Sequence, residues 1–486
     1  MPLILPGNVA SATASTGYTV ANSYRISANS SYLSRTPGSE GNRAKWTFSA
    51  WVKGGGLSGQ QNLLNSFPES SNESRIYISS GRFGAYNWVS DATDGYYQTD
   101  ALLRDPSAWY HVVFSWDSDN ATAGDRIKMY INGTEQTSFS TEQDPGSGSD
   151  SFICDDAIHY VGRSGDPSAN QSYYGYMAEV CLCDGQTYAA SDFGEFDEDS
   201  PTIWKPKNVS GLTFGTTGFY LDFEDSADLG ADVSGNSNDF TATSLDATHQ
   251  ATDTPTNNFC TMNPLYAATS SVFTFSQGNC IVEQNATAWR TAAGTIGLTS
   301  GKWYFEAKGG QGDNGYTHLG WATPQWLWER GVGNMNEPGA THTGPSYSYY
   351  GYNGRIYYST DDAAQTTGSY GDSWNDQNTI GCYMDIDNSK MYWSKDGVIQ
   401  NSGTGFTIPG GFTWLPIVGG YDMDAGGTAV KLNFGGCPAT TISSAVADAN
   451  GYGAFEYDPS DGGGSSFDSS AKNFLAVCTK NLAEYG

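Results

Sequence analysis

Apolar side chains recur along this chain at every second residue, and almost nowhere at the three-to-four-residue spacing of a helix. Lys45–Lys53, KWTFSAWVK, sets Trp46, Phe48, Ala50 and Val52 on one face of an extended segment. Trp109–Trp116, WYHVVFSW, is apolar enough to be a strand covered on both sides. Ile127–Ile131 alternates again and runs into Asn132-Gly133, a pair that tolerates the left-handed backbone of a two-residue hairpin turn. Met391–Ser394 followed by Lys395-Asp396-Gly397 repeats the arrangement more than 250 residues later. The pattern predicts an all-β chain with two separate antiparallel domains.

Composition points the same way. The chain has 60 Gly and 31 Tyr, and only 15% of it is charged, against about 25% in an average domain. That balance suits short strands and tight turns, and 486 residues exceed what one core organises. Pro201, Pro206 and a polar stretch ending in DTPTNNF, Asp253–Phe259, mark a boundary. Gly218–Phe223 inside it is strand-like, so the stretch reads as an ordered connector. Asp461–Ser470 reads as a flexible tether, and Asn473–Cys478 as an apolar patch that docks. The expected division is a first sandwich over 1–200, including an attachment segment over 1–30, an irregular connector over 201–265, a second sandwich over 266–440, and the tether and docking segment over 441–486.

Fifty-two acidic residues against 23 basic ones give a net charge of −29. A chain so acidic repels nucleic acid and anionic membrane surfaces. No apolar run approaches the length of a membrane span, so no membrane insertion is expected. The opening MPLILPGNVASATAS lacks a basic n-region and is not expected to be a secretory signal. Eight Cys without a C-x-x-C and five scattered His predict reduced, buried thiols and no zinc site.

Two stretches resemble known families. WTFSAWVK, WYHVVFSWD, IKMYINGT and the return strand within Tyr173–Gln186 resemble the concanavalin A-like laminin-G family; in that last piece Gly175, Glu179, Val180, Asp184 and Gly185 fit its usual pattern. LTSGKWYFEA, HLGWAT, GCYMDIDNSKMYWSKDG, LPIVGG and VKLNFGG, in that order between Leu298 and Gly436, resemble a SPRY domain. Both resemblances imply β-sandwiches. Their pairing, the opening segment and the connector Asp232–Phe259 resemble structural proteins of tailed bacteriophages. That likeness implies a virion component, made in the host cytoplasm: a fibre, a tail appendage or a capsid-surface protein. Its partners would be other virion proteins and a host-surface glycan or receptor, and a homo-oligomer is expected.

The residues offer little catalytic chemistry. Glu195 and Asp197, within Glu195–Asp199, would share a strand face, but the position for a general acid holds Asp199 or Ser200 and Pro201 follows. His111 and His318 sit inside strand patterns, and no nucleophile elbow, P-loop or dinucleotide fingerprint occurs. No cofactor is expected apart from calcium, whose candidate ligands are Asp117 and Asp119 in one loop and Asp228, Asp232 and Asp239 in the connector. Aromatic platforms for sugar rings fit the composition best. Trp326, Trp328, Tyr347, Tyr349, Tyr350, Tyr352 and Trp374 map to the loops through which the second resemblance implies binding. Tyr86, Trp88, Tyr96, Tyr97, Tyr173 and Tyr174 form a similar set in the first domain. The function expected is a non-enzymatic virion protein presenting adhesive sandwiches to host glycans. A purely structural decoration, cement or tail protein and a glycan depolymerase are the alternatives.

Overall fold

The computed structural model describes residues 4–5, 17–26, 30–55, 59–166, 169, 171–266, 272–284, 287–310, 316–328, 344–360, 363–423, 429–437, 439, 442–460 and 472–486. The chain forms two compact units, one spanning Thr13–Thr256 and one joining Met1–Ala12 to Asn257–Gly486. Strands dominate both, and the two α-helices among the described residues are short.

The first unit is built from two eight-stranded antiparallel sheets. One runs, edge to edge, through Thr134–Glu135, Ile127–Ile131, Tyr110–Asp117, Lys45–Gly54, Gly175–Asp184, Ser23–Ile26 and Gln250–Ala251, with Phe219–Leu221 also paired to Gly175–Asp184. The other runs through Phe139–Gln143, Ala92–Thr99, Arg82–Val89, Asn72–Ser79, Gln60–Glu69, His159–Val161, Tyr32–Arg35 and Thr241–Thr243. Trp46, Phe48, Ala50 and Val52 all enter the core between the sheets, where they meet Leu64, Ile76 and Phe83 from the second sheet. Period-2 alternation therefore aimed these side chains as the sequence suggested. At the hairpin, Asn132 (φ 47°) and Gly133 (φ 77°) adopt the left-handed backbone of a primed turn. Gly133 has a second reason to lack a side chain, since a Cβ there would fall 2.4 Å from the Trp204 ring.

The segment read as a connector is part of this sandwich up to Thr256. It supplies Phe219–Leu221, Thr241–Thr243 and Gln250–Ala251 to the sheets. Val209, Phe214 and Tyr220 cover the back of the first sheet over Val113, Cys181 and Cys183. This cover explains why Gly175–Asp184 is buried along its whole length. Asp253 locks the end of the segment with a fully buried ion pair to Lys53 (2.6 Å), and Trp109 donates its indole N–H to the same carboxylate (3.0 Å). Low sequence hydrophobicity hid this role, because short strands at a sheet edge need few apolar residues.

The second unit pairs a nine-stranded with a six-stranded sheet. The nine-stranded sheet runs Phe273–Ser276, Ile281–Gln284, Val430–Asn433, Lys302–Lys308, Thr379–Asp385, Lys390–Lys395 and Val398–Ile399, with Phe406–Thr407 and Leu475–Ala476 paired off this path. The six-stranded sheet runs Trp289–Ala293, Leu415–Tyr421, Thr317–Ala322, Ser346–Tyr350, Arg355–Thr360 and Ala363–Thr366. Trp303, Phe305, Trp321, Trp393 and Trp414 fill the space between them. Asp396 (φ 49°) and Gly397 (φ 76°) form the second primed hairpin turn.

The apolar patch Asn473–Cys478 docks as its composition suggested. Leu475–Ala476 adds a parallel strand beside Trp303 and Tyr304, and Phe474 and Cys478 are buried. The tether at 461–470 and most of the N-terminal attachment segment lie outside the described residues. Of that segment, Ile4 bridges to Ile296 and Ser23–Ile26 is a buried strand of the first sandwich.

Candidate functional site

Strand alternation decides which aromatics reach a surface. In Ser346–Tyr350, Tyr347 and Tyr349 point into the core of the second unit beside Trp321, and Trp374 packs against Tyr349. Trp326 is 2% exposed and joins a small cluster with Ala293, Ala322, Leu415 and Ile417. Trp328 ends the helix Pro324–Trp328, and its side chain lies outside the described residues. Tyr173 is buried in the first core, as is Tyr97, while Tyr174 is 36% exposed. These eight residues with described side chains, Trp326, Tyr347, Tyr349, Tyr350, Tyr352, Trp374, Tyr173 and Tyr174, do not form one binding rim. Six of them are buried: Tyr347 and Tyr349 are strand residues facing inward, and Trp326, Tyr350, Trp374 and Tyr173 are covered by other side chains. Tyr350 sits on the outer face of its sheet, buried beneath neighbouring rings, and Tyr352 is exposed. They gather with Trp289, Tyr316 and Tyr357 in contacts of 5.1–6.1 Å between ring centres, and Tyr352 is 57% exposed.

In the first unit the same alternation builds a cleft. Ser74, Ile76 and Ile78 of Asn72–Ser79 are buried, whereas the register places Glu73 opposite Trp88 and Arg75 opposite Tyr86, which in turn faces Tyr96. These side chains share the outer face of the sheet. Glu73, Arg75, Tyr86 and Trp88 line an open cleft of about 340 Å³, closed on other sides by Phe67, Ser70, Ser164, Asp166 and Gln171. Tyr86 and Trp88 stack at 5.7 Å and 24° to form a ring wall, and Tyr96 meets Tyr86 edge-on. The Arg75 guanidinium lies 4.7 Å over Tyr86, 3.3 Å from Glu73, and donates to the Gln171 Oε1 at 3.3 Å. Asn65 donates to the other Glu73 oxygen (2.9 Å). Burial raises the Glu73 carboxyl above its ordinary range and the Asp166 charge adds to this, while Arg75 and Asn65 oppose it. Aromatic wall, acids, amide and hydroxyls in one concavity can stack on a ring and hydrogen-bond to its substituents. Sequence reading found Tyr86, Trp88 and Tyr96 but missed Glu73, Arg75, Asp166 and Gln171. The available signal was the charged alternation of NESRIYIS against its buried isoleucines.

Four of the five candidate calcium ligands have other partners. Asp117 pairs with Lys45 at 3.2 Å. Asp232 accepts the backbone N–H groups of Tyr220, Ser234 and Asn238, Asp239 accepts that of Asp232, and Asp228 accepts that of Gly230. They organise turns. Asp119 is exposed. The close carboxylate group among the described residues is Glu40, Asp155 and Asp156, which includes none of the five, and Arg43 already contacts Glu40 and Asp155.

The other candidates are also occupied structurally. Glu195 and Asp197 do share a side, and both reach Lys205 (3.7 and 3.4 Å), while Asp197 caps the turn by accepting from Asp199 and Ser200. His111 accepts from the Trp204 indole at Nδ1 (3.0 Å), so its proton sits on Nε2, against Ser49 (2.9 Å). Burial pushes its ring down to about 3. His318 bonds Ser348 at 2.9 Å, stacks on Tyr350 at 4.2 Å and is likewise pushed down to about 3 by burial. Both are neutral strand residues at physiological pH. All eight cysteines are buried thiols.

Comparison with known proteins follows this division. Residues 27–188 match the Laminin_G_3 model of the concanavalin A-like lectin/glucanases superfamily, and residues 302–436 match the SPRY domain model. The ATP-dependent RNA helicase DDX1 of Xenopus laevis is 29% identical over 148 residues, 30% of this chain. This chain covers 17% of that relative's length. Among solved structures, the SPRY domain of human HERC1 is 18% identical, covering 37% of this chain and 99% of that one, at a TM-score of 0.28. A putative carbohydrate binding protein from Bacteroides ovatus is 14% identical over 47% of this chain and 61% of that one, at a TM-score of 0.31. Laminin alpha1 domains LG4-5 from mouse are 8% identical over 86% and 89%, at a TM-score of 0.29. The chain thus carries a concanavalin A-like domain followed by a SPRY domain, each an antiparallel β-sandwich.

Proposed function

We propose that the chain is a non-enzymatic adhesive protein that binds surface glycans through the cleft of its first sandwich. The observation that carries this reading is the stacked Tyr86–Trp88 wall facing Glu73, Arg75 and Asp166 in one open concavity, in a domain matched by a lectin superfamily. Sugar rings present C–H faces to such walls and hydroxyls to such polar groups. The virion setting rests on the sequence likeness to tailed-phage structural proteins, with other virion proteins and a host-surface glycan as partners.

The test is binding of the purified chain to neutral and acidic polysaccharides, with polymer length followed over time. Binding without shortening, lost in Trp88→Ala, is the expected result. Shortening that disappears in Glu73→Gln would make the protein a depolymerase. Absence of binding to any polysaccharide would shift the proposal to a structural decoration or cement role. That second reading has the outward group around Tyr352 in its favour, as a contact between copies. Its check is the oligomeric state in solution of the parent and of Tyr352→Ser.

A further inference from the structure

We infer that the cleft selects uncharged pyranosides over uronates, and that Glu73 sets this choice; the inference rests on the glycan-binding reading above. Arg75 is the one cation among the described lining residues. Its guanidinium is already engaged by the Glu73 carboxylate at 3.3 Å, the Gln171 amide oxygen at 3.3 Å and the Tyr86 ring at 4.7 Å. Glu73 and Asp166 contribute two negative charges and Arg75 one positive, so the lining carries a net −1. The lining belongs to a chain whose net charge is −29 in all. A sugar carboxylate entering this cleft meets net repulsion and finds no free guanidinium fork to pair with. An uncharged ring meets neither obstacle. Its C–H face can cover Tyr86 and Trp88, and its hydroxyls can donate to Asp166.

Glu73 is the residue on which this balance turns. Asn65 donates to one of its oxygens and Arg75 pairs with the other. Glu73→Gln keeps an oxygen for Asn65 and removes the charge, taking the lining from −1 to 0. It also leaves the Arg75 guanidinium beside the aromatic wall without its counter-ion. A planar fork in that position is suited to a carboxylate.

The experiment is calorimetric titration of the full chain with neutral hexasaccharides of β-1,3-glucan, β-1,4-glucan and β-1,4-mannan, and with hexagalacturonate. At least one neutral probe is expected to bind, with hexagalacturonate weaker by about tenfold or more. Raising NaCl from about 0.02 to about 0.5 M should narrow that gap and leave the neutral probe unchanged. Glu73→Gln should strengthen hexagalacturonate relative to the neutral probe by roughly fivefold or more. If Glu73→Gln does not fold, Asp166→Asn, which removes the other negative charge, should narrow the gap instead. Equal or tighter binding of hexagalacturonate by the parent, abolished in Trp88→Ala, overturns the charge inference and leaves the cleft as the glycan site. An unchanged preference in the folded variants overturns the role of Glu73. Failure of every probe overturns the glycan-binding reading, and the inference with it.

Discussion

Two glutamates sit where a carboxylate is costly. Glu179 occupies a bulge with φ 52° and accepts from Tyr18 and Tyr220 (3.1 and 2.7 Å). Glu306 accepts from Tyr304, Asn433 and the backbone of Glu456 (3.0, 2.7 and 2.7 Å). Burial raises both carboxyls to about 7, with the hydrogen bonds opposing. A carboxyl whose folded value lies above its unfolded one favours folding fully below about 4.5, and that contribution is lost as pH rises through about 7. Each therefore contributes about 3 kcal/mol of added stability at pH 4 relative to pH 8. Urea midpoints of Glu179→Gln and Glu306→Gln across that range should show a flatter slope than the parent; an equal slope would reject the assignment. The Lys53–Asp253 pair behaves differently, since each charge depends on the other. Lys53→Met leaves Asp253 buried beside Trp109 and should cost about 3–5 kcal/mol of unfolding free energy.

At the scale of elements, turns and register carry the information. Gly133 meets two demands at once, a positive φ and the approach of Trp204. Gly133→Val is expected to cost roughly 2 kcal/mol or more, read as a shift in the urea midpoint of the first unit. Both primed hairpins and the Trp46–Val52 face were legible from period-2 patterns, because those residues obey purely local rules. The rim aromatics were not. Tyr347 and Tyr350 look alike in sequence, yet strand parity sends one into the core and the other to the opposite face of the sheet, under Tyr352 and Trp289. Parity is fixed only once the strand ends are known. The cleft was half-legible for the same reason: its aromatic wall stood out, while Gln171 and Asp166 arrive from a loop distant in sequence.

At the scale of the whole molecule, the boundary moves. The polar stretch after residue 200 completes the first sandwich, so a fragment spanning 13–256 should fold cooperatively and one ending at residue 200 should not. Far-ultraviolet circular dichroism and urea melts of the two fragments check this. The shorter one would lose the strands at Phe219–Leu221, Thr241–Thr243 and Gln250–Ala251, together with the Lys53 partner. Its distribution of sulfur has a practical outcome. Cys154, Cys181 and Cys183 lie in the first unit and the remaining five in the second, all shielded, and burial raises the Cys154, Cys181, Cys183, Cys382 and Cys478 thiols. A soluble alkylating reagent can reach them only when a sandwich opens. Mass spectrometry of the alkylated peptides would then time the opening of each sandwich separately, with the native chain as its own tag-free clock.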